Sequence, residues 1–177
     1  MSKSLYFLFF VITTSCCLDK DTQYLSNYEK EFIPYKLGDT LTFTHDKGLE
    51  FYLYTTEDTT ELVELRHFEK CGFVLIENKT VKLESDSELS FKFTLPTHEA
   101  EESIVLDADG SLFTIYLYRN PDIDTLTLNG HLFENIYKLA GLVTDTTVMT
   151  PIELLYTKND GIIQIVLTNN VTFTISP

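Results

Sequence analysis

The sequence predicts an all-β fold, a single antiparallel β-sandwich or barrel of roughly ten to twelve short strands. Three observations predict it. Apolar and polar residues alternate in almost every segment after residue 30, as they do in strands that bury one face. Turn sequences rich in Gly, Asn and Asp separate these segments. No segment after residue 30 has the longer apolar period of a helix.

The first half of the predicted domain begins with a turn at Gly38-Asp39 and continues through six short strands. The clearest strand is residues 89–95, in which every second residue is apolar. The six strands are residues 41–44, 49–55, 61–68, 73–77, 80–84 and 89–95.

The second half is predicted to contain three hairpins, because Asp-Gly and Asn-Gly pairs favour tight turns between strands. The turns lie at Asp109-Gly110, at Asn129-Gly130 and at residues 158–161. The strands of this half are residues 103–106, 112–118, 126–128, 131–139, 152–157, 162–167 and 171–175.

Composition limits the classes of function. The chain has 177 residues, which suits one domain, and 44% of them are hydrophobic, enough to bury a core. A formal net charge of −14 repels phosphate backbones, so nucleic acid is not expected as a partner. The sequence has no Gly-rich phosphate loop, Cys/His cluster or Gly-x-Ser-x-Gly motif. We therefore predict no cofactor, no metal and no enzymatic activity.

The first 15 residues are typical of a signal peptide. Lys3 supplies a basic residue, residues 5–12 form an unbroken apolar run, and residues 13–15 are small. A bilayer-spanning helix needs about 20 apolar residues, so this run is too short to be one. The alternative is a buried N-terminal strand, which the order of basic, apolar and small residues disfavours.

The end of this segment resembles the lipobox of bacterial lipoproteins, because the small residue Ser15 directly precedes Cys16. The resemblance implies cleavage before Cys16 and attachment of fatty acyl chains such as palmitate to that cysteine. Thr13 departs from the pattern, which prefers an aliphatic residue there. Ordinary secretory cleavage is the alternative. A lipidated Cys16 would anchor the protein in a membrane without a transmembrane helix.

Three parts of the chain follow: a signal peptide at residues 1–15, a lipid-anchored tether at residues 16–32 and an all-β domain at residues 33–177. The tether is polar and aperiodic, with a short helical turn near its end. With Cys16 lipidated, Cys17 and Cys71 allow at most one disulfide. A buried free thiol at Cys71 is the equal alternative.

Candidate catalytic and metal-binding residues are few. The four histidines, none at a ligand spacing from another, are expected to be ordinary strand or hairpin residues. They are His45, His67, His98 and His131. Asp107-x-Asp109-Gly110 has the start of a calcium loop, but it lacks the further oxygen ligands and is predicted to be a hairpin turn.

Four tyrosines depart from the alternating pattern, because they lie opposite aliphatic residues on strands that are then apolar on both faces. They are Tyr52, Tyr54, Tyr116 and Tyr118. The sequence favours central strands that are covered on both faces, and the alternative is an exposed binding surface.

Beyond the lipobox, the chain resembles the small lipoproteins of Bacteroidota, a group without an established activity. The similar segments are residues 34–43, 128–130, 134–137, 152–156 and 161–165. The resemblance implies a β-rich lipoprotein of the outer membrane, with its surface or periplasmic face left open, and it implies no catalytic residues.

We therefore expect a lipid-anchored protein of the cell envelope whose β-domain serves as a non-enzymatic interaction or accessory module. Its expected partners are the membrane, through Cys16, and a protein or small molecule that the sequence does not identify. The alternative function is a carrier that holds a small apolar ligand in an enclosed cavity inside the β-domain.

Overall fold

The computed structural model describes residues 21–45, 47–66, 73–86, 89–97, 102–143 and 149–176. It confirms the all-β prediction, because the described residues form thirteen strands and a single four-residue helix. The elements are β1 (Thr22–Gln23), α1 (Asn27–Lys30), β2 (Thr40–His45), β3 (Glu50–Arg66), β4 (Phe73–Ser85), β5 (Ser90–Pro96), β6 (Ser103–Ala108), β7 (Ser111–Tyr116), β8 (Ile123–Leu128), β9 (His131–Ala140), β10 (Leu142–Val143), β11 (Pro151–Thr157), β12 (Gly161–Leu167) and β13 (Thr172–Ser176).

The strands form one sheet in the order β10-β7-β6-β5-β4-β3-β2-β13-β12-β11-β9-β8, and β1 pairs in parallel with β4. All the other pairs are antiparallel, and the hydrogen-bonded order does not close. Gly141 alone separates β9, near one end of this order, from β10 at the other. A Cβ atom at Gly141 would lie 2.7 Å from the Phe113 ring, so this close passage requires glycine.

The predicted hairpin turns are present. Asp109 and Gly110 have φ angles of 40° and 87°, and Asn129 and Gly130 have 49° and 80°. Positive φ at both central residues is the geometry of the tight turns that match the twist of paired strands. Each turn connects antiparallel neighbours, β6 to β7 and β8 to β9.

The first half of the domain differs from the prediction, because two pairs of predicted short strands are each one long strand. The predicted strands at residues 49–55 and 61–68 correspond to β3, and those at residues 73–77 and 80–84 correspond to β4. β3 has 17 residues, and β4, with 13, pairs with it from Leu53 to Arg66. A bulge between Thr55 and Glu57 shifts the register. One strand resembles two in the sequence because residues 56–61, in the centre of β3, are all polar and interrupt the apolar alternation.

The interior is a large hydrophobic cluster to which almost every strand contributes. A smaller cluster lies on the opposite face of β11 and β12, where Leu155 and Ile163 are covered by Phe133 and Ile136 of β9. Asn135, at a φ of 55°, lies near the end of the part of β9 that pairs with β8, and the part that pairs with β11 begins at Tyr137. The β8–β9 hairpin thus covers the outer face of the sheet.

The packed domain begins earlier than the sequence indicates. Residues 22–32, which the sequence analysis assigns to the tether, include β1 and α1 and bury Leu25 and Phe32 in the main cluster. Ser26 caps α1 in a capping box with Glu29, a motif that satisfies free backbone N–H groups at a helix start. Residues 22–32 are therefore part of the folded domain.

Two buried hydroxyl groups attach this N-terminal segment to the sheet. The Tyr156 hydroxyl donates a hydrogen bond to the carbonyl oxygen of Phe32, and the Tyr35 hydroxyl accepts one from the N–H of Ile162 at 2.6 Å. Burial raises the pKa of both phenols well above the ordinary value. A side chain at Gly161 would collide with the Tyr35 ring.

Within the described ranges, no helix has the length and apolar character needed to cross a bilayer.

We expect Phe32→Ala to destabilise the domain by about 3–5 kcal/mol, because it removes a fully buried ring from the core. The matched control is Tyr24→Ala in the same segment, where the side chain is exposed and the expected change is within about 0.5 kcal/mol. Urea unfolding of both variants measures the difference. Equal and small effects would show that residues 22–32 behave as a tether.

Candidate functional sites

Three predicted site residues, Cys16, Cys17 and Cys71, lie outside the described residues, as do His67 and His98. Lipidation at Cys16 and a disulfide between Cys17 and Cys71 therefore stay predictions.

The two described histidines lie in local contacts. His45, at the end of β2, accepts a hydrogen bond from the N–H of Lys47 through Nδ1 at 3.0 Å, and its ring lies 5.5 Å from that of Phe173. His131 begins β9, and its ring lies 4.8 Å from that of Phe133. These contacts match the ordinary strand and hairpin positions that the sequence predicts.

Asp109 has a structural role at its hairpin. Its carboxylate accepts hydrogen bonds from the backbone N–H and the hydroxyl of Ser90, at the start of β5. The turn therefore links the β6–β7 hairpin to the neighbouring strand. Across the described ranges, no three His, Cys, Asp or Glu side chains form a group that would hold a metal ion.

The tyrosines that the sequence analysis singles out are exposed, so the favoured expectation of strands covered on both faces is wrong. Tyr52 and Tyr54 are 40% and 37% exposed, although Leu53 between them is fully buried. Tyr116 and Tyr118 are more exposed still. A tyrosine can face solvent because its hydroxyl forms hydrogen bonds there, although its ring is apolar. Strands with tyrosine opposite aliphatic residues can therefore have one face exposed.

Tyr52 and Tyr54 form what we call the tyrosine surface. Their ring centroids are 6.5 Å apart, since residues two apart on a strand project from the same face. The Tyr52 hydroxyl donates to a Glu50 carboxylate oxygen at 3.2 Å, and this hydrogen bond raises the pKa of the phenol. The pair presents two adjacent aromatic rings to solvent.

A depression of about 410 Å³ adjoins this surface. Its lining residues are Tyr54, Thr56, Glu84, Ser85, Asp86, Leu89 and Ser90. A hydrogen bond from Lys82 lowers the pKa of Glu84, so this carboxylate is ionised at neutral pH. Aromatic rings beside hydroxyl groups and a carboxylate form an amphipathic surface that suits a partner with both apolar and polar groups.

A second depression, of about 500 Å³, lies where the N-terminal segment meets β4 and the β11–β12 turn. We call it the lysine depression because four lysines line it: Lys30, Lys36, Lys79 and Lys158. They come from α1, the loop after it, β4 and the turn after β11. Its other lining residues are Asn27, Glu31, Ile33, Pro34, Tyr35, Asp58 and Asn159.

Two of these lysines are held by carboxylates. Lys30 Nζ donates to Glu77 Oε1 at 2.9 Å, and Lys158 Nζ lies 3.1 Å from Glu31 Oε2. Lys158 also lies over the Tyr28 ring, 4.1 Å from its centroid, a cation–π contact. Both ammonium groups are thus fixed in position at the rim of the depression.

Nothing in the sequence signals this second depression. Its lysines are separated by up to 128 positions along the chain, and each has the pattern of an ordinary surface lysine. Both depressions are open and have polar as well as apolar groups in their linings, so neither is the enclosed apolar cavity that the carrier alternative requires.

No family model, curated protein or solved structure matches the chain.

We expect the double variant Tyr52→Ala/Tyr54→Ala to keep its free energy of unfolding within about 1 kcal/mol of the parent, because both side chains face solvent. Leu53→Ala, on the other face of the same strand, is expected to cost about 2–5 kcal/mol. Chemical denaturation measures both. A large loss in the tyrosine variant would contradict the exposed position of the surface.

Proposed function

We propose that the protein is a lipid-anchored component of the cell envelope, of the outer-membrane type, whose β-domain acts by binding a partner. The signal-like residues 1–15 and the Ser15-Cys16 junction support the anchor. The proposal for the domain is a non-enzymatic interaction or accessory role, and the tyrosine surface is the observation that carries it.

The tyrosine surface supports binding because adjacent exposed aromatic rings are uncommon on a surface with no partner and are enriched in interfaces. Tyrosine supplies a large contact area with few rotatable bonds, so its immobilisation costs little entropy. Leu53 holds the backbone between the two rings in the core, so the rings are presented from a rigid strand. The neighbouring depression adds polar groups that would orient a partner.

The position of the anchor limits where the domain acts. From Cys16 to Thr22 the chain advances six residues and spans at most about 20 Å. Because the packed domain begins at Thr22, a lipid at Cys16 would hold the domain close to the membrane surface. We therefore place the partner at or near the same membrane.

The anchor is tested with Cys16→Ala and the matched control Cys17→Ala. We expect the parent and the Cys17 variant to lose residues 1–15, gain the mass of acyl chains and fractionate with membranes. The Cys16 variant is expected to lose the added mass and the membrane association, as measured by intact mass spectrometry and fractionation. A soluble parent without added mass would refute the anchor.

The binding surface is tested by site-specific photo-crosslinking in the native envelope. A photoreactive phenylalanine replaces Tyr52 in one variant and Tyr116, which is also exposed but lies on β7, in the control. We expect one discrete crosslinked species from position 52, and its loss when Tyr54→Ala is added. Identical crosslinking from positions 52 and 116, or none from position 52, would contradict the proposal.

A further inference from the structure

The lysine depression gathers positive charge in a protein whose formal net charge is −14. Four of the chain's 13 Lys and Arg residues line it, whereas only two of its 27 acidic residues, Glu31 and Asp58, do so. Glu77, which pairs with Lys30, offsets one more lysine, so the four lysines and these three carboxylates leave an excess of one positive charge. A concave site with one sign of charge attracts ligands of the other sign, and the acidic surroundings make this location distinct.

Lys79 is the most buried of the four lysines, and its contacts are long. Its side chain is only 13% exposed, yet its Nζ lies 3.8 Å from Asp58 Oδ1 and 3.5 Å from the carbonyl oxygen of Ile33. Both distances exceed the range of good N–H···O hydrogen bonds, about 2.7–3.2 Å. An ammonium group has three N–H donors, and two long contacts leave donor capacity at Lys79 that an additional anionic oxygen would use.

The other three lysines supply donors around the same space. An ammonium group carries three N–H donors, and the carboxylate contacts of Lys30 and Lys158 leave donors of each unused. Lys36 is exposed, and none of the ion pairs found within the described ranges includes it. An anionic ligand would balance the excess positive charge of these side chains.

We propose that the lysine depression binds a phosphate group, with Lys36 and Lys79 as its main contacts. Lysine binds phosphate as a point charge, and a volume of about 500 Å³ accommodates a small phosphorylated molecule. The phosphate belongs either to a free small molecule or to a lipid headgroup.

The headgroup source rests on the proposed anchor, because membrane phosphates must come within reach. β1 pairs with Leu75 and Ile76 of β4, and Lys79 follows three residues later, about 10 Å along the strand. Glu77 lies between them, accepting from the N–H of Leu25 and from Lys30 Nζ. The depression is thus close to the point where the chain from Cys16 enters the domain.

The test is isothermal titration calorimetry of the full-chain protein, purified in a neutral detergent, without divalent ions. Pyrophosphate probes the free-phosphate source, and the water-soluble dibutanoyl phosphatidic acid probes the headgroup source. We expect saturable binding of one molecule per chain. Lys36→Gln and Lys79→Gln should each weaken it by about tenfold or more, through loss of a charge-assisted hydrogen bond.

The matched control is Lys138→Gln, which removes the same charge from an exposed lysine outside the depression, paired with Glu153. This control should bind as the parent does, and so should Tyr52→Ala/Tyr54→Ala. Because Lys36 is exposed, its variant is expected to fold normally and keeps the test valid if Lys79→Gln unfolds. Absence of saturable binding to both probes, or equal weakening by Lys138→Gln, would overturn the proposal independently of the anchor.

Discussion

The fold depends on the burial of the N-terminal segment between strands that are far apart in the sheet. The Tyr35 ring packs 5.3 Å from that of Phe93 on β5, which packs 6.2 Å from that of Tyr156 on β11. Five strands lie between β5 and β11 in the sheet order, so these rings meet only because the sheet curves around its own interior. The segment also supplies partners for the Tyr156 hydroxyl and the Ile162 N–H, groups that would cost about 1–3 kcal/mol each if buried unpaired.

This curvature requires local departures from regular strands. A large twisted sheet must bend or fold over to cover its apolar face, and bulges and glycines are the usual means. Here the register shifts between Thr55 and Glu57 and again between Leu155 and Tyr156. Asn135 has a positive φ near the point where β9 changes partner from β8 to β11, and Gly141 lets the chain pass against Phe113.

A feature can be predicted from the sequence when the residues that determine it are close together along the chain. Hairpins at Asp109-Gly110 and Asn129-Gly130 are local, so the residue types determine them and the prediction succeeds. The continuous strand β3 depends on pairing with β4, and its polar centre looks like a break. Leu25 and Phe32 are two apolar residues in a polar segment, so their burial depends on a core assembled from distant strands. The lysine depression is a juxtaposition of four unconnected segments, which no local pattern encodes.

The distribution of charge over the protein sets the tyrosine surface and the lysine depression apart from the rest of the surface. A net charge of −14 favours solubility and discourages non-specific contact with anionic surfaces. A partner is then bound selectively where positive side chains offset the negative charge locally, or where apolar groups dominate the surface. The lysine depression offsets it with four ammonium groups held by the packed N-terminal segment, β4 and the β11–β12 turn. The tyrosine surface instead presents aromatic area beside Glu50 and Glu84. Lys30 and Lys36 lie on either side of residues 32–35, three of which are buried in the main hydrophobic cluster. The packing of this segment into the core therefore also positions two lysines of the lysine depression.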